Sequence, residues 1–240
     1  MLSPKNYKIT ILQLKTDPDY NKNLNRLIKY IKENRGANLI VAPEVFLTGF
    51  DYENFDRVVD FYNIAIKRLL EVVGDEIFIF TIIKRENRGV VNQAVVIHNH
   101  KIVYTQNKYK LFRDETKYFL AGREEDFLRF SIDGVSFGII ICFELRFKEL
   151  WKRLEGVDII VVPAMWGRPR KVHLEVLARA LAIMNQCFVV VSNSANLEMA
   201  KGSLVASPWG DLTKNDRLSQ IGKIIDLKEV TKVRRLIKMR

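Results

Sequence analysis

The order of strand-like and helix-like segments predicts an α/β fold of four layers, two β-sheets packed face to face with helices outside each (α-β-β-α). Three observations carry this expectation. Apolar β-branched runs and amphipathic stretches follow the pattern β-α-β-α-β-β-β and then β-β-α-β-α-β-β-β, two similar halves that each supply several strands and two helices. No stretch rich in Pro, Gly or Ser separates the halves, so they are expected to share one core and to form a single domain over residues 1–240. No short period repeats, which argues against a solenoid. A doubly wound open sheet satisfies the same order and stays as the alternative.

Element by element, "YKITILQL" opens the chain as a strand. "DYNKNLNRLIKYIKENRG" follows as a helix, with Asp19 as its cap, apolar residues at helical spacing and a stop at Gly36. "NLIVAP" is a strand, and "FDRVVDFYNIAIKRLLEVVG" is a second helix that ends at Gly74. "IFIFTII", "VNQAVVIH" and "KIVYTQ" close the first half as three strands, with a hairpin-like turn at "IHNHK". The second half opens with "FLRFSI" and "VSFGIIIC". The helix "RFKELWKRLEG", the strand "DIIVVPA" and the helix "KVHLEVLARALAIMN" follow, and the strands "CFVVVSNS", "GSLVASP" and "GKIIDL" complete it.

Composition narrows the class. The chain has 240 residues, of which 48% are hydrophobic and 10% aromatic, which fits a globular protein with a sizeable core. No run reaches the ~20 apolar residues that cross a bilayer, and "MLSPKNYKITILQL" lacks the pattern of a secretory signal. The two cysteines, Cys142 and Cys187, both lie in apolar runs, which speaks against a disulfide framework. A soluble, cytoplasmic protein without a membrane partner is expected. The formal charge of +11 is spread along the chain, with one denser patch at "KEVTKVRRLIKMR". A nucleic-acid partner is not expected, because no basic stripe with stacking aromatics or docking motif accompanies the charge. Steering of anionic substrates is the preferred reading.

Candidate chemistry gathers at strand ends, where α/β sheets place their sites. Glu44 follows the strand that ends at Pro43; a solvated or helix-capping glutamate is the plain alternative. Lys108 and Lys110 lie in a polar, aromatic segment where lysines are commonly solvent-facing, and Glu115 shares that ambiguity. Cys142 stands where an apolar strand gives way to a charged, helix-like stretch. It reads either as a small buried hydrophobe or as a nucleophile on an elbow. A nucleophilic cysteine needs help to reach the thiolate. His98 and His100 lie in a turn, and His173 has no supporting pattern around it. No Cys/His spacing suits zinc, and the glycines form no phosphate-binding loop or dinucleotide fingerprint.

Taken together, these segments resemble the nitrilase superfamily of carbon–nitrogen hydrolases over roughly residues 7–228. "APEVFLTGF" is similar to the family's glutamate motif, "NKYKLF" to its lysine motif and "ICFELRFKEL" to its cysteine motif, in the family's chain order. "ETKYFLAG" fits a second family glutamate, and "VVPAMW", "NSA" and "GSLVASPWGDL" follow in order. The resemblance implies Glu44 as general base, Lys108 and not Lys110 as the catalytic lysine, Cys142 as nucleophile and Glu115 as a supporting residue. It also implies an oxyanion contact from the Phe143 N–H, substrate contacts from Arg146, Met165 and Trp166, a homodimer or larger homo-oligomer, and no metal or organic cofactor.

Four positions depart from the family pattern: Lys148 stands where proline is usual, Met165 where asparagine is usual, and Leu181 and Met184 at an expected arginine and glutamate. "CFELRF" is closest to the ω-amidase-like small-amide branch, so hydrolysis of a small amide, with carboxylate-bearing amides included, is preferred. N-carbamoyl amino acid hydrolysis, nitrile hydrolysis and a basic binding protein without turnover are the alternatives. Arg146 is a candidate anchor for a substrate carboxylate, or else part of an ion pair that braces the elbow.

Overall fold

In the computed structural model, which describes residues 6–239, the strands form two six-stranded sheets. Residues 1–5, the start of the stretch read above for a secretory signal, and Arg240 lie outside the described residues. Numbered in chain order, the first sheet runs β12 (Gln220–Ile225), β1 (Tyr7–Leu12), β2 (Leu39–Val41), β3 (Ile77–Glu86), β4 (Gly89–His98) and β5 (Lys101–Asn107). The second runs β11 (Leu212–Lys214), β10 (Leu204–Ala206), β9 (Phe188–Asn193), β8 (Ile159–Ala164), β7 (Val135–Ile139) and β6 (Phe130–Ile132). β1, β2 and β3 are parallel and are linked by helices α1 (Tyr20–Glu33) and α2 (Phe55–Val72). β7, β8 and β9 repeat the arrangement with α4 (Lys148–Arg153) and α5 (Lys171–Asn185).

Alternation along the strands builds the layers. Ile9, Ile11, Leu39, Val41, Ile77 and Ile79 join the core shared with the second sheet. Their neighbours Leu12, Ile40, Ala42, Phe78 and Phe80 pack with Leu24, Leu27 and Ile31 of α1 and Val58, Ala65 and Leu69 of α2. Strands buried on both faces need apolar residues at nearly every position, which is why these runs are continuous. Asp19 caps α1 by accepting from the N–H groups of Asn21 and Lys22.

The expected four-layer architecture is present, with one change of partner. β12 does not stay with the second half; it crosses to the first sheet and pairs antiparallel with β1. There it takes the place that β6 takes beside β7. A strand's pattern reports burial but not which edge it joins, so its sequence carried no sign of the exchange. The basic patch near the C-terminus forms a helix, α6 (Lys228–Leu236), which buries Val230 and Val233. The short helix α3 (Glu115–Tyr118) and the half-exposed strand β11 were also unanticipated. β7 ends at Ile139, before Cys142, and the expected helix from Arg146 is divided into a 3₁₀ turn, Cys142–Arg146, and α4.

Candidate active site

The two sheets meet at a rim formed by the C-terminal ends of their parallel strands. β2 ends at Val41, and three residues later the backbone N–H of Glu44 donates to the carbonyl of Ala164, the last residue of β8, at 3.3 Å. Lys108 follows β5 directly, and its N–H continues the ladder by donating to the carbonyl of Asn92 on β4 at 2.8 Å. Cys142 begins the 3₁₀ turn with φ of 47°. A left-handed backbone is unfavourable for a residue with a Cβ, and here it turns the chain sharply between strand and helix, the geometry of a nucleophile elbow.

The charged groups at this rim bond to one another. Lys108 is 1% exposed, and its Nζ donates to Glu44 Oε1 and to Glu115 Oε1, both at 2.7 Å. Glu44 Oε1 also accepts from Asn92 Nδ2 at 2.9 Å, while Glu44 Oε2 accepts only from the Met165 N–H at 3.2 Å. Glu115 Oε2 accepts from the Phe112 N–H at 2.7 Å. One ammonium thus lies between two buried carboxylates. Burial acts to discharge Lys108, but the carboxylates of Glu44 and Glu115 outweigh it and hold the ammonium charged, its pKa above the usual lysine range. Burial raises the pKa of Glu115, against the opposing pull of Lys108. Burial and then Glu44 push the Cys142 thiol well above its usual range, with Lys108 and the Met165 N–H favouring the thiolate. Burial and Glu44 together favour the neutral thiol over the thiolate.

Above Cys142 lies a narrow cleft of ≈ 30 Å³, walled by Phe112, Phe143, Met165 and Trp166, with Arg146 and Arg170 beside them. The Phe112 and Phe143 rings pack with centroids 4.9 Å apart. Each guanidinium lies over an aromatic ring: Arg146 Cζ is 4.8 Å from the Trp166 centroid and Arg170 Cζ is 5.4 Å from that of Phe112. Arg146 Nη2 also contacts His173 Nδ1 at 3.1 Å. Among the salt bridges of the described residues, neither arginine has a carboxylate partner.

The structure brings together Glu44, Lys108, Glu115, Cys142, Phe143, Arg146, Met165 and Trp166. Lys110 turns outward, with Nζ 3.5 Å from Glu149 and over the Tyr109 and Phe147 rings. His98 and His100 lie at the β4–β5 turn, and His173 faces Arg146 from the exposed side of α5. Of the departing positions, only Met165 reaches the site. Lys148 is the exposed first residue of α4, where a proline would also fit; Leu181 is a core residue and Met184 is exposed. Three site residues were not anticipated. Glu144 reads in sequence as part of a charged helix, yet it is fully buried. Asn92 betrays itself only as a polar residue inside the apolar run "VNQAVV". Arg170 carries no local signal.

Comparison with known proteins follows from this geometry. The family model described as carbon-nitrogen hydrolase matches residues 8–235. A 2-oxoglutaramate amidase of Bacillus subtilis is 33% identical over an alignment covering 96% of this chain and 95% of that protein. An omega-amidase of Xenopus laevis is 26% identical over 98% of this chain and 94% of its own length. Among solved structures, a CN-hydrolase superfamily protein of Xanthomonas campestris, with an arsenic adduct in its active site, shares the fold with a TM-score of 0.86 at 21% identity. That match covers 98% of this chain and 96% of the other. An amidase from Nesterenkonia sp. shares it with a TM-score of 0.83 at 17% identity, over 98% and 97% of the two chains.

Proposed function

The chain belongs to the carbon-nitrogen hydrolase family, and we propose that it is an amidase, a single catalytic domain that converts a small linear amide to ammonia and a carboxylic acid through a thioester on Cys142. The observation that carries this reading is the buried Glu44–Lys108–Glu115 cluster set against a thiol on an elbow. A thiol held neutral by burial needs a base at the moment of attack. Glu44 Oε1 is occupied by Lys108 and Asn92, which leaves Oε2 to receive the thiol proton. The Cys142 sulfur attacks the amide carbon, and the Lys108 ammonium and the Phe143 N–H hold the developing oxyanion. One such donor is typically worth about 3–4 kcal/mol of transition-state stabilisation. Glu44 returns the proton to the departing nitrogen, then takes one from the water that hydrolyses the thioester and gives it to the departing Cys142 sulfur, so a single carboxylate serves as base and acid in turn. Glu115 fixes the lysine.

The substrate we favour carries a carboxylate. Arg146 has no acidic partner among the salt bridges of the described residues, which supports the anchor over the bracing ion pair. The related Bacillus subtilis protein is named for 2-oxoglutaramate, an amide with a carboxylate at its far end. We also carry forward a homodimer, supported by Val172, Val176, Ile183 and Met184 exposed on α5; analytical ultracentrifugation tests it.

The deciding experiment is ammonia release from a panel of carboxylate-bearing ω-amides, neutral amides, carbamoyl amino acids and nitriles. Mass spectrometry of the acyl-enzyme trapped by acid accompanies it. Turnover of ω-amides with the acyl group on Cys142 is expected. An acyl group on Cys187, or turnover surviving Cys142→Ala, refutes the reading.

A further inference from the structure

Lys108 and Cys142 come from different sheets, so something must fix the distance between them. Packing between the sheets is apolar and sets layer spacing, but apolar contacts slide more readily than hydrogen bonds break. Polar groups cross the seam at several places, the Met165 N–H to Glu44 bond among them; among the described residues, two side chains join the lysine segment to the cysteine elbow. Gln106 Nε2 donates to the Ile139 carbonyl at 3.2 Å, which joins the end of β5 to the end of β7. The other crossing group is Glu144, two residues beyond Cys142 in the 3₁₀ turn. Its Oε2 accepts from the Ile141 N–H at 2.6 Å, the residue directly before Cys142. Its Oε1 accepts from the N–H groups of Tyr109 at 2.6 Å and Lys110 at 3.3 Å, the two residues directly after Lys108.

We propose that Glu144 is a positioning residue whose carboxylate clamps the lysine segment to the cysteine elbow and so sets the spacing between Lys108 and Cys142. A cap for the 3₁₀ turn alone needs only the Ile141 bond. The two N–H groups from the opposite sheet lie 34 and 35 residues away in the chain and serve no local purpose. The side chain is fully buried and, among the described residues, has no salt-bridge partner. A group kept in that state answers to the three N–H donors around it, and an apolar replacement would orphan all three. Burial raises its pKa to about 7, the expected cost of this arrangement.

The inference rests on the reading of Lys108 and Cys142 as reacting groups, but its test does not need turnover. Glu144→Gln keeps the volume and one acceptor oxygen, while its NH₂ faces one of the two segments. The rate of Cys142 alkylation by iodoacetamide is measured in wild type, Glu144→Gln, Lys108→Ala and the double variant. Turnover of a carboxylate-bearing ω-amide is measured for wild type and Glu144→Gln. A folded Glu144→Gln protein is expected to alkylate more slowly and to lose about 10- to 100-fold in kcat with KM little changed, the scale of a displaced reacting group.

If the clamp acts through the lysine–thiol spacing, Glu144→Gln adds little to alkylation once Lys108 is alanine. Additive effects, or wild-type alkylation in the folded variant, overturn the proposal. Amide hydrogen exchange on the wild-type protein keeps it falsifiable without any variant: Ile141 and Tyr109 are expected to exchange as one protected unit, and independent exchange refutes the clamp. Absence of turnover on every substrate sinks the amidase reading while leaving the alkylation and exchange results to judge Glu144.

Discussion

Replacing Lys108 by methionine removes the one cation from a buried site that holds two carboxylates. In the wild-type protein its Nζ lies 2.7 Å from an oxygen of each. At an effective dielectric of about 20, each contact carries roughly 6 kcal/mol of Coulomb attraction, much of it offset by the desolvation of both ions. Removing one partner of a buried pair leaves the other side uncompensated, and the usual cost is about 3–5 kcal/mol.

That cost depends on pH, with a definite sign. Glu115 already has a raised pKa, with burial the cause and Lys108 opposing it. Without the lysine it rises further, so the folded variant holds a proton that the unfolded chain releases near its ordinary value of about 4.3. Stability linked to such a group is fully present below the unfolded pKa and is lost as pH rises through the folded one. The deficit of Lys108→Met against wild type is therefore expected to be about 3–5 kcal/mol at pH 8 and smaller by at least ~1 kcal/mol at pH 5. Urea denaturation of both proteins at both pH values measures it. An equal deficit at the two pH values, or a variant as stable as wild type at pH 8, refutes the electrostatic account of this cluster.

Three further outcomes are expected. Lys108→Ala loses at least about two orders of magnitude in kcat, the scale of one oxyanion donor. Lys110→Ala, whose ammonium faces Glu149 and the solvent side, loses far less; steady-state kinetics of the two variants checks the ranking. Iodoacetamide labels Cys142, which borders the cleft, well before Cys187, which is fully buried with its pKa pushed up to about 12; peptide mapping over time reads the order. Arg146→Lys keeps the charge and loses the planar fork, so KM rises for a carboxylate-bearing amide and stays nearly unchanged for a neutral amide of the same length. Equal losses on both amides, with a lowered melting temperature, would instead assign Arg146 to bracing the elbow.

The sequence made some of this fold legible because local physics decides it. Helix α5 occupies the span that its periodicity predicts, Lys171–Asn185, and α1 begins after the anticipated cap Asp19. Strand order is another matter. The run at β12 is written in the same alternation whether it pairs with β10 or with β1, and only the unfilled edge beside β1 selects its place. The α6 helix hid because only Val230 and Val233 of its residues are buried, too few to mark a periodic face. In the site, the side chains placed by resemblance converge, whereas Asn92, Glu144 and Arg170 depend on partners that chain spacing does not reveal. Asn92 is set by the oxygen of Glu44, Glu144 by N–H groups across the seam, and Arg170 by the ring of Phe112.

The three buried glutamates show how one residue type is given different work by its surroundings. Glu44 and Glu115 share the Lys108 ammonium, and each keeps its second oxygen on a single backbone N–H. For Glu115 that N–H belongs to Phe112, three residues back, so the carboxylate is tied to its own loop and holds the lysine from one side. For Glu44 it belongs to Met165, from the opposite sheet, at 3.2 Å, the longest of the four contacts these two carboxylates make with Lys108 and the backbone. An oxygen held loosely beside the thiol is the one free to exchange a proton; an oxygen saturated by an ammonium and an amide is not. Among the described residues Glu144 has only backbone N–H donors, which can orient a carboxylate but cannot neutralise it, and it is not one of the cleft-lining residues. Met165 contributes to this scheme through its main chain. Its side chain, at a position where the family pattern has asparagine, lines the cleft, so the departure bears on what the site admits and leaves the proposed proton path from Cys142 to Glu44 unaltered.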